Sequence, residues 1–491
     1  MKRFLSLFLL AVMILTCAFV FSSCTKLPKS LLGEEGLLAV QKDGKWGFVN
    51  EKGKEVVPCK FCDVYPFENG SAIVYETDYV SCYYINAKGK PLFDRTFYRA
   101  CSFDVDGRAI VRETDGGPAE LINEKGETIF TAKDISFGDG GIGKYRFTND
   151  ANKMGIVDLN GNIVLDPIYE YLSFIGKHEA NELGSAIMDD RLHAEYVDDE
   201  TGETVSCLID FAGNVLCSGE IEFSIDDFYG DAALIRETKY DDDRNVVYRY
   251  AIIDRDGRSV VDELQVKEVA AINPGYLAFT VGSVSLWAGN HDQFVLYDWS
   301  GNLIFDCRGS GYYPVPYGFG ENEFMVKDPD TNKYGMLDLR GETVIPCEYD
   351  DVTPFDANGC SVCQKGGTFY VIDREGKTVF DATCDHLTTS DQFLGKYYLA
   401  CNRAGEKETY KLLDTKGEIV KEFGSEYSFG NFEQEEDSGK TYFELDYYCR
   451  PLKDGSFIVR DAESNKIVIL NKEFQPVKFG SYDWIRLSDF D

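Results

Sequence analysis

Two cysteine pairs are the first residues in this chain whose spacing could hold a metal. Cys59-x2-Cys62 and Cys360-x2-Cys363 each have the spacing of half a zinc site, which needs four soft ligands in a tetrahedron. The pairs stand far apart in sequence. On an extended strand, residues three apart such as Cys360 and Cys363 also point to opposite faces. Small buried hydrophobes fit these thiols better, and the residues imply no metal. The run Gly138-Asp139-Gly140-Gly141-Ile142-Gly143-Lys144-Tyr145 satisfies a dinucleotide glycine pattern and nearly a phosphate loop. Both motifs need the glycines to feed a helix N-terminus. Here strand-like Tyr145-Arg146-Phe147 follows, and Tyr145 stands where Ser or Thr would meet magnesium. His178-Glu179 opens like a zinc-protease helix, but Glu182 occupies the place of the second histidine. Asp328-x-Asp330-x-Asn332 opens like a calcium loop, with Lys333 at the glycine place and Leu339 at that of the bidentate acid. The acids of Asp241-Asp242-Asp243 are the other candidate for weak calcium binding. No nucleophile-elbow pattern occurs, and none of the four histidines stands in a triad context. The chain therefore offers no catalytic residue and implies no cofactor.

Two aromatic segments remain as candidates for ligand binding. Ser285-Leu286-Trp287-Ala288-Gly289-Asn290-His291-Asp292 places Trp287 beside the hydrogen-bonding Asn290, His291 and Asp292. Gly311-Tyr312-Tyr313-Pro314-Val315-Pro316-Tyr317-Gly318 brings Tyr312 and Tyr313 into a stiff, proline-rich stretch. Both are expected to be loops that break the surrounding pattern. Aromatic faces next to amides and carboxylates are what sugars and peptides stack on. The plainer reading is that these aromatics cap a core.

The elements that must carry these residues are repeated. Lys45-Trp46-Gly47-Phe48-Val49-Asn50 runs through Gly53 and Val56-Val57-Pro58-Cys59 to Phe61, Asp63, Val64, Pro66 and Phe67. Lys333-Tyr334-Gly335-Met336-Leu337-Asp338 runs through Gly341 and Val344-Ile345-Pro346-Cys347 to Tyr349, Asp351, Val352, Pro354 and Phe355, without a gap between the copies. Self-similarity of this kind sets the architecture. A strand ending in Asp or Asn, two polar residues, a glycine and a second strand recur at Gly53, Gly89, Gly126, Gly161, Gly213, Gly257, Gly301, Gly341, Gly376 and Gly417. A degenerate copy, Ile467-Val468-Ile469-Leu470-Asn471-Lys472-Glu473-Phe474, lacks the glycine. In each turn the acid or amide can accept from backbone N–H groups, and glycine supplies the positive φ that returns the chain. These Asp residues are turn formers before they are acids for catalysis. Short β-branched strands flank each turn, and a third strand such as Ser71-Ala72-Ile73-Val74 closes many copies.

The expectation is an all-β array of about eleven three-stranded units. It is either propeller-like, in one or two rings, or an open solenoid. Long glycine spacings predict loop insertions near 175–205 and 236–250. Leu37-Leu38-Ala39-Val40 reads as a spare closing strand at the start, and the copy ending in Tyr482-Asp483-Trp484-Ile485 lacks one.

The Lys-Trp-Gly-Phe-Val-Asn opening, the glycine turn, the Val-Val-Pro step and the Pro-Phe-x-x-Gly-x-Ala closing resemble the WG-repeat family of bacterial proteins. Trp46 is the only tryptophan at the defining position, and Tyr334 and Met154 replace it before Gly335 and Gly155. The resemblance implies a β-rich repeat region, often exported or surface-attached. It carries no catalytic residues.

At the start of the chain, Lys2 and Arg3 precede an apolar run from Phe4 to Phe21, then Ser22-Ser23-Cys24. This is the layout of a secretory signal, and the cysteine after small residues resembles a bacterial lipoprotein signal, with Phe21 where Leu is usual. The resemblance implies cleavage before Cys24 and lipid on its sulfur. The other reading is an uncleaved anchor. The expected layout is a signal peptide over 1–23, a lipidated linker over 24–36 and the repeat region over 37–491. Either reading puts the repeats outside the cytoplasmic membrane, with the membrane as partner through Cys24. A net charge of −34 disfavours nucleic acid, and 44% hydrophobic residues are ample for a core. Of the 15 cysteines, Cys17 leaves with the signal and Cys24 takes lipid, which leaves an odd number that cannot all pair. The functional expectation is a lipid-anchored, non-enzymatic scaffold of the cell envelope with a protein or glycan ligand. The alternative is an envelope hydrolase of glycan or peptide, whose site would gather carboxylates or a histidine from several copies.

Overall fold

The computed structural model describes residues 27–486, apart from 34, 78, 138–142, 179–186, 220–222, 241–245, 265, 274, 287–288, 309, 321, 406, 435–440, 447–448 and 478–481. The signal segment, Cys24, Trp287, the glycines at 138–141, Glu182 and the acids at 241–243 lie outside these residues. The fold is all-β, built mostly of small antiparallel sheets in which neighbours in the chain pair with one another. No helix among the described residues is long and apolar enough to cross a membrane. The chain divides into two compact units, one of Met1–Phe103, Asp391–Asp414 and Glu418–Asp491, the other of Asp104–Ser390 and Thr415–Gly417.

The turn chemistry read from sequence is present throughout. At Asp338 the carboxylate Oδ1 accepts from the N–H of Arg340 at 2.9 Å and of Glu342 at 2.8 Å. The Gly341 N–H donates to the Asp338 carbonyl at 2.9 Å, with Gly341 at φ +81°. Asn50, Asn86, Asn123, Asp158, Asp210, Asp254, Asp298 and Asp373 accept from the same two positions. Asn471 does so as well, although Phe474 takes the glycine place at φ +58°. Its ring is held between Phe423 and Phe457, a packing that opposes the cost of a left-handed bulky residue. Asp328 and Asn332, the start of the calcium-like pattern, belong to the hairpin turn before Tyr334: Asp328 Oδ1 accepts from Asp330 N, and Asn332 has φ +58°.

The glycine after Trp46 has a different cause. Trp46 pairs with Phe61 and Phe48 with Val57, so four steps of strand Glu55–Phe61 cross two steps of Lys45–Asn50. The surplus residues bulge over Gly47, where a Cβ would sit 2.6 Å from Val57 O and Cys59 N. The same bulge covers Gly155, 2.6 Å from Leu165 O, and Gly335, 2.5 Å from Ile345 O. These glycines are required by a close backbone approach and not by positive φ.

Many sheets hold four strands where three per copy were expected. In the second unit, Tyr313–Phe319, Glu323–Asp328, Lys333–Asp338 and Thr343–Tyr349 form one, and Asp351–Val352, Cys360–Lys365, Thr368–Asp373 and Thr378–Thr383 another. The additional strand in the second is the two-residue Asp-Val step, too short to be seen as a strand by its own periodicity. In the first unit, the spare strand Leu37–Lys42 pairs antiparallel with Trp484–Arg486, Val40 opposite Ile485. The two ends of the described chain therefore share one sheet. Arg486 crosses it to bond Asp63 Oδ1 at 2.9 Å and to lie over the Trp46 ring at 4.8 Å. Phe48, Phe61, Val64 and Phe67 are buried around Trp46 in that unit's core.

The predicted loop insertions are mostly strand. Residues near 175–205 form the hairpin of Tyr171–His178 with Ile187–Val197, and those near 236–250 extend Ala232–Tyr240 against Val246–Asp254. Inserted residues that keep pairing satisfy their backbone groups, which a long bare loop would leave to water. These two hairpins belong to a nine-stranded sheet, joined where Lys177 pairs with Phe228 and His178 with Tyr229. That junction is parallel, whereas the two hairpins it joins are each antiparallel.

A cleft at the parallel junction

The sequence candidates are not gathered into one site. Gly289–Tyr297, which holds Asn290, His291 and Asp292, is a strand and not a loop. It pairs with Leu277–Leu286, placing Asn290 opposite Ser285, His291 opposite Val284 and Asp292 opposite Ser283. The side chains of 282–292 lie outside the described part. Tyr313–Phe319 is likewise a strand, and Tyr313 pairs with Lys327. Tyr312 is half-buried against a core that includes Tyr276, Phe324 and Val326. Tyr313 and Asn290 stand on different sheets. The strand after the glycine run is Lys144–Thr148, so no helix N-terminus follows Gly143.

The cysteines sit as apolar side chains. The thirteen cysteines among the described residues are free. Burial pushes the Cys363 and Cys207 thiols up to about 12, away from thiolate chemistry. Among the described residues no group of three or more His, Cys, Asp or Glu side chains could hold a metal ion.

A cleft of about 330 Å³ opens instead at the parallel junction of the second unit. Strand Tyr171–His178 supplies Tyr171, Ser173 and Phe174, and Ile187–Val197 supplies His193. The kink between Phe223–Ile225 and Phe228–Tyr229 supplies Asp226 and Asp227, with Tyr229 beyond. Alternation explains the wall: Leu172 and Leu192 are buried in the core while Tyr171, Ser173 and His193 face the other way. His193 stands opposite Ser173, its ring edge-on to Tyr171 at 5.3 Å. Its Nε2 meets Ser206 Oγ at 2.8 Å. Ser206 is 4% exposed and is not part of the cleft lining, so it orients the imidazole from behind. Asp227 Oδ1 accepts from the Gly176 N–H at 2.7 Å, which ties the kink to the parallel strand. Tyr229 stacks on Trp299 at 5.1 Å and 18°, and the indole N–H donates to Asn273 O at 3.0 Å.

The electrostatics of the cleft are acidic. The Asp226 carboxylate reaches solvent, yet neighbouring atoms crowd it enough that desolvation raises its pKa above the ordinary range. Arg236 opposes that rise and Asp227 adds to it. Burial, then Asp227 and Asp226, raises the Tyr229 phenol. Arg236 itself lies over the Tyr248 ring at 5.1 Å. Chemically the cleft combines aromatic faces, two carboxylates and an oriented imidazole. A second hollow of about 500 Å³ lies beside Phe130, Lys133 and Phe147.

The WG-containing repeat model matches at 46–78, 154–177 and 334–369. The chain carries WG-containing repeats. The bulge over Gly47, Gly155 and Gly335 falls in each of the three matched stretches, and the cleft begins in the second, at Tyr171. No curated protein matches the chain. Among solved structures, a eukaryotic initiation factor is 11% identical with a TM-score of 0.34, over 79% of this chain and 96% of that one. The β-propeller domain of the Trilobed protease from Pyrococcus furiosus, described as having an open velcro topology, is 9% identical with a TM-score of 0.26, over 63% and 94%. Prolyl oligopeptidase B from Galerina marginata is 10% identical with a TM-score of 0.24, over 74% and 55%.

Cleft residues were not singled out in the sequence. They come from the hairpin of Tyr171–His178 with Ile187–Val197 and from the kink at Asp226 and Asp227 that the parallel junction brings beside it. The available signal was spacing: Gly161 and Gly213 stand 52 residues apart, against 35 between Gly126 and Gly161.

Proposed function

We propose that the protein is a lipid-anchored, non-enzymatic repeat scaffold of the bacterial cell envelope that binds a protein or glycan ligand in the cleft around Tyr171 and Asp227. The anchor is lipid on Cys24, and the repeats supply a rigid base. The observation that carries the binding role is the cleft itself: aromatic faces and polar groups converge where a repeat strand meets the parallel junction. The acids of the well-kept copies, in contrast, are engaged in turns, as at Asp338 and Asp298.

A hydrolase is the second reading, favoured by His193 sharing the cleft with Asp226 and Asp227. Against it, the histidine's hydroxyl partner, Ser206, lies behind the cleft wall and not in it. The test is a glycan and peptide array probed with the full chain purified in detergent, followed by assay of the hits for cleavage. Retained ligand, lost in Tyr171→Ala and with no product formed, supports the scaffold. Turnover that disappears in His193→Ala would establish the hydrolase instead. Mass analysis of the purified chain for acyl groups on Cys24 tests the anchor.

A further inference from the structure

We infer that the cleft recognises an organic ammonium group, seated between the Asp226 and Asp227 carboxylates and the rings of Tyr171 and Tyr229. The inference rests on the cleft being the binding site and names the chemistry it accepts. Among the described residues, no Lys or Arg lines the cleft. Among the described residues the cation that acts on Asp226 is Arg236, and its guanidinium lies over the Tyr248 ring. The lining therefore presents negative charge and aromatic faces together. An anionic ligand would meet two carboxylates. A neutral sugar is commonly held by amides and guanidinium groups, and among the described residues no Asn, Gln or Arg lines the cleft. A cation gains from both parts of the lining: the carboxylates by charge, the rings through their quadrupoles.

The geometry limits the size of the ligand. About 330 Å³ admits a short alkylamine or one lysine side chain with its neighbours, but not a folded domain. Tyr229 is backed by Trp299 and His193 is fixed by Ser206, so these walls are set before a ligand arrives. A prepared wall lowers the ordering cost of binding. The acidic surface, with net charge −34, steers cations toward the chain at low ionic strength.

An ammonium group could arrive as a free amine or on a lysine side chain, and the test separates the two. Calorimetry on the full chain in detergent uses 1,5-diaminopentane, a capped lysine tripeptide, its norleucine counterpart, 1-pentanol and maltose. The expected result is binding of one or both ammonium probes, none of the norleucine peptide or pentanol, and weakening of several-fold when salt is raised to about 0.5 M. Tighter binding of the peptide assigns a protein partner, and tighter binding of the diamine a small molecule. Asp226→Asn should weaken binding about tenfold with an unchanged melting temperature, because its carboxylate carries no structural hydrogen bond among those described. Asp227→Asn serves as the second variant, read with its melting curve since Asp227 also holds Gly176. Maltose or pentanol binding as tightly as the amines, indifferent to Asp226→Asn, overturns the ammonium assignment and leaves the cleft standing. Array binding or amine binding that survives Tyr171→Ala combined with Asp226→Asn overturns the cleft itself. Stoichiometric Ca²⁺ binding that excludes the amines also overturns the assignment.

Discussion

The stretches 334–369 and 171–229 differ in how they use the same residue types. In the first, Asp338 closes a turn, Tyr334 and Tyr349 pack on the core around Met336 and Ile345, and Cys363 fills space among them. In the second, Tyr171 is 40% exposed, Tyr229 packs face to face with Trp299, and Asp226 points at a cavity. The teaching is that repetition absorbs side chains into structure. Where the array departs from its register, through the parallel pairing of Lys177 with Phe228, side chains are released to do other things. The hollow lies where Tyr171–His178, already paired with Ile187–Val197, takes Phe228–Tyr229 on its other edge.

The contrast breaks most sharply at the WG glycine. Gly335→Val should lower stability by about 3 kcal/mol, because its Cβ would press on the backbone of the bulge, which cannot move as a side chain tip can. Urea denaturation would read it, and a loss under about 1 kcal/mol would show the bulge to be pliable. Next in size is the turn glycine: Gly213→Ala, at φ +80° with only ordinary contacts nearby, should cost about 1 kcal/mol. Cutting the acid of another turn by Asp298→Ala removes the acceptor of the Ser300 and Asn302 N–H groups and should cost a similar amount.

The acid side of the same turns gives a smaller, pH-dependent effect. The Asn214 amide, together with the backbone N–H groups of Asn214 and Ala212, holds the Asp210 carboxyl below the ordinary range against a desolvation effect that raises it. A folded-state pKa below the unfolded one means that the stabilisation is full above the unfolded value, about 4. It is lost as pH falls through the depressed value. The stability difference between wild type and Asp210→Asn should therefore be constant from pH 7 to 5 and shrink below pH 4. A difference that grows on acidification would contradict the turn assignment. Smallest of all should be Tyr171→Ala, which is expected to change stability by less than about 0.5 kcal/mol while abolishing ligand retention. A large stability loss there would erase the distinction between the two stretches. Thiol labelling gives an independent check. At pH 8, Cys207, Cys363 and Cys449, each raised to about 12 by burial, should resist iodoacetamide until urea unfolds the chain.

These expectations also show what could be read from residues alone. The Asp-x-x-Gly turns were legible because their chemistry is local, complete within five residues. The strands beside them were legible because β-branched runs end at those turns. The four-strand sheets were less so, since a two-residue strand such as Asp351–Val352 has no period. The aromatic stretches around Trp287 and Tyr312 looked like loops because Gly and Pro punctuate them, yet pairing with Leu277–Leu286 and Glu323–Asp328 makes strands of Gly289–Tyr297 and Tyr313–Phe319. The cleft was hidden for a third reason. His193 and Asp226 are neighbours only through a junction that no local pattern announces.

The pairing of Leu37–Lys42 with Trp484–Arg486 bears on how the chain comes to be folded. Synthesis from the amino end delivers Val40 early and Ile485 late. Until then the first strand presents an open row of amide and carbonyl groups, a template for wrong partners. Closure over so long a separation is slow compared with hairpin formation. The sheet is therefore a timer, complete only when Ile485 has been made. Arg486, clamped by Asp63 and laid on Trp46, is the latch that sets once the last copy is in place.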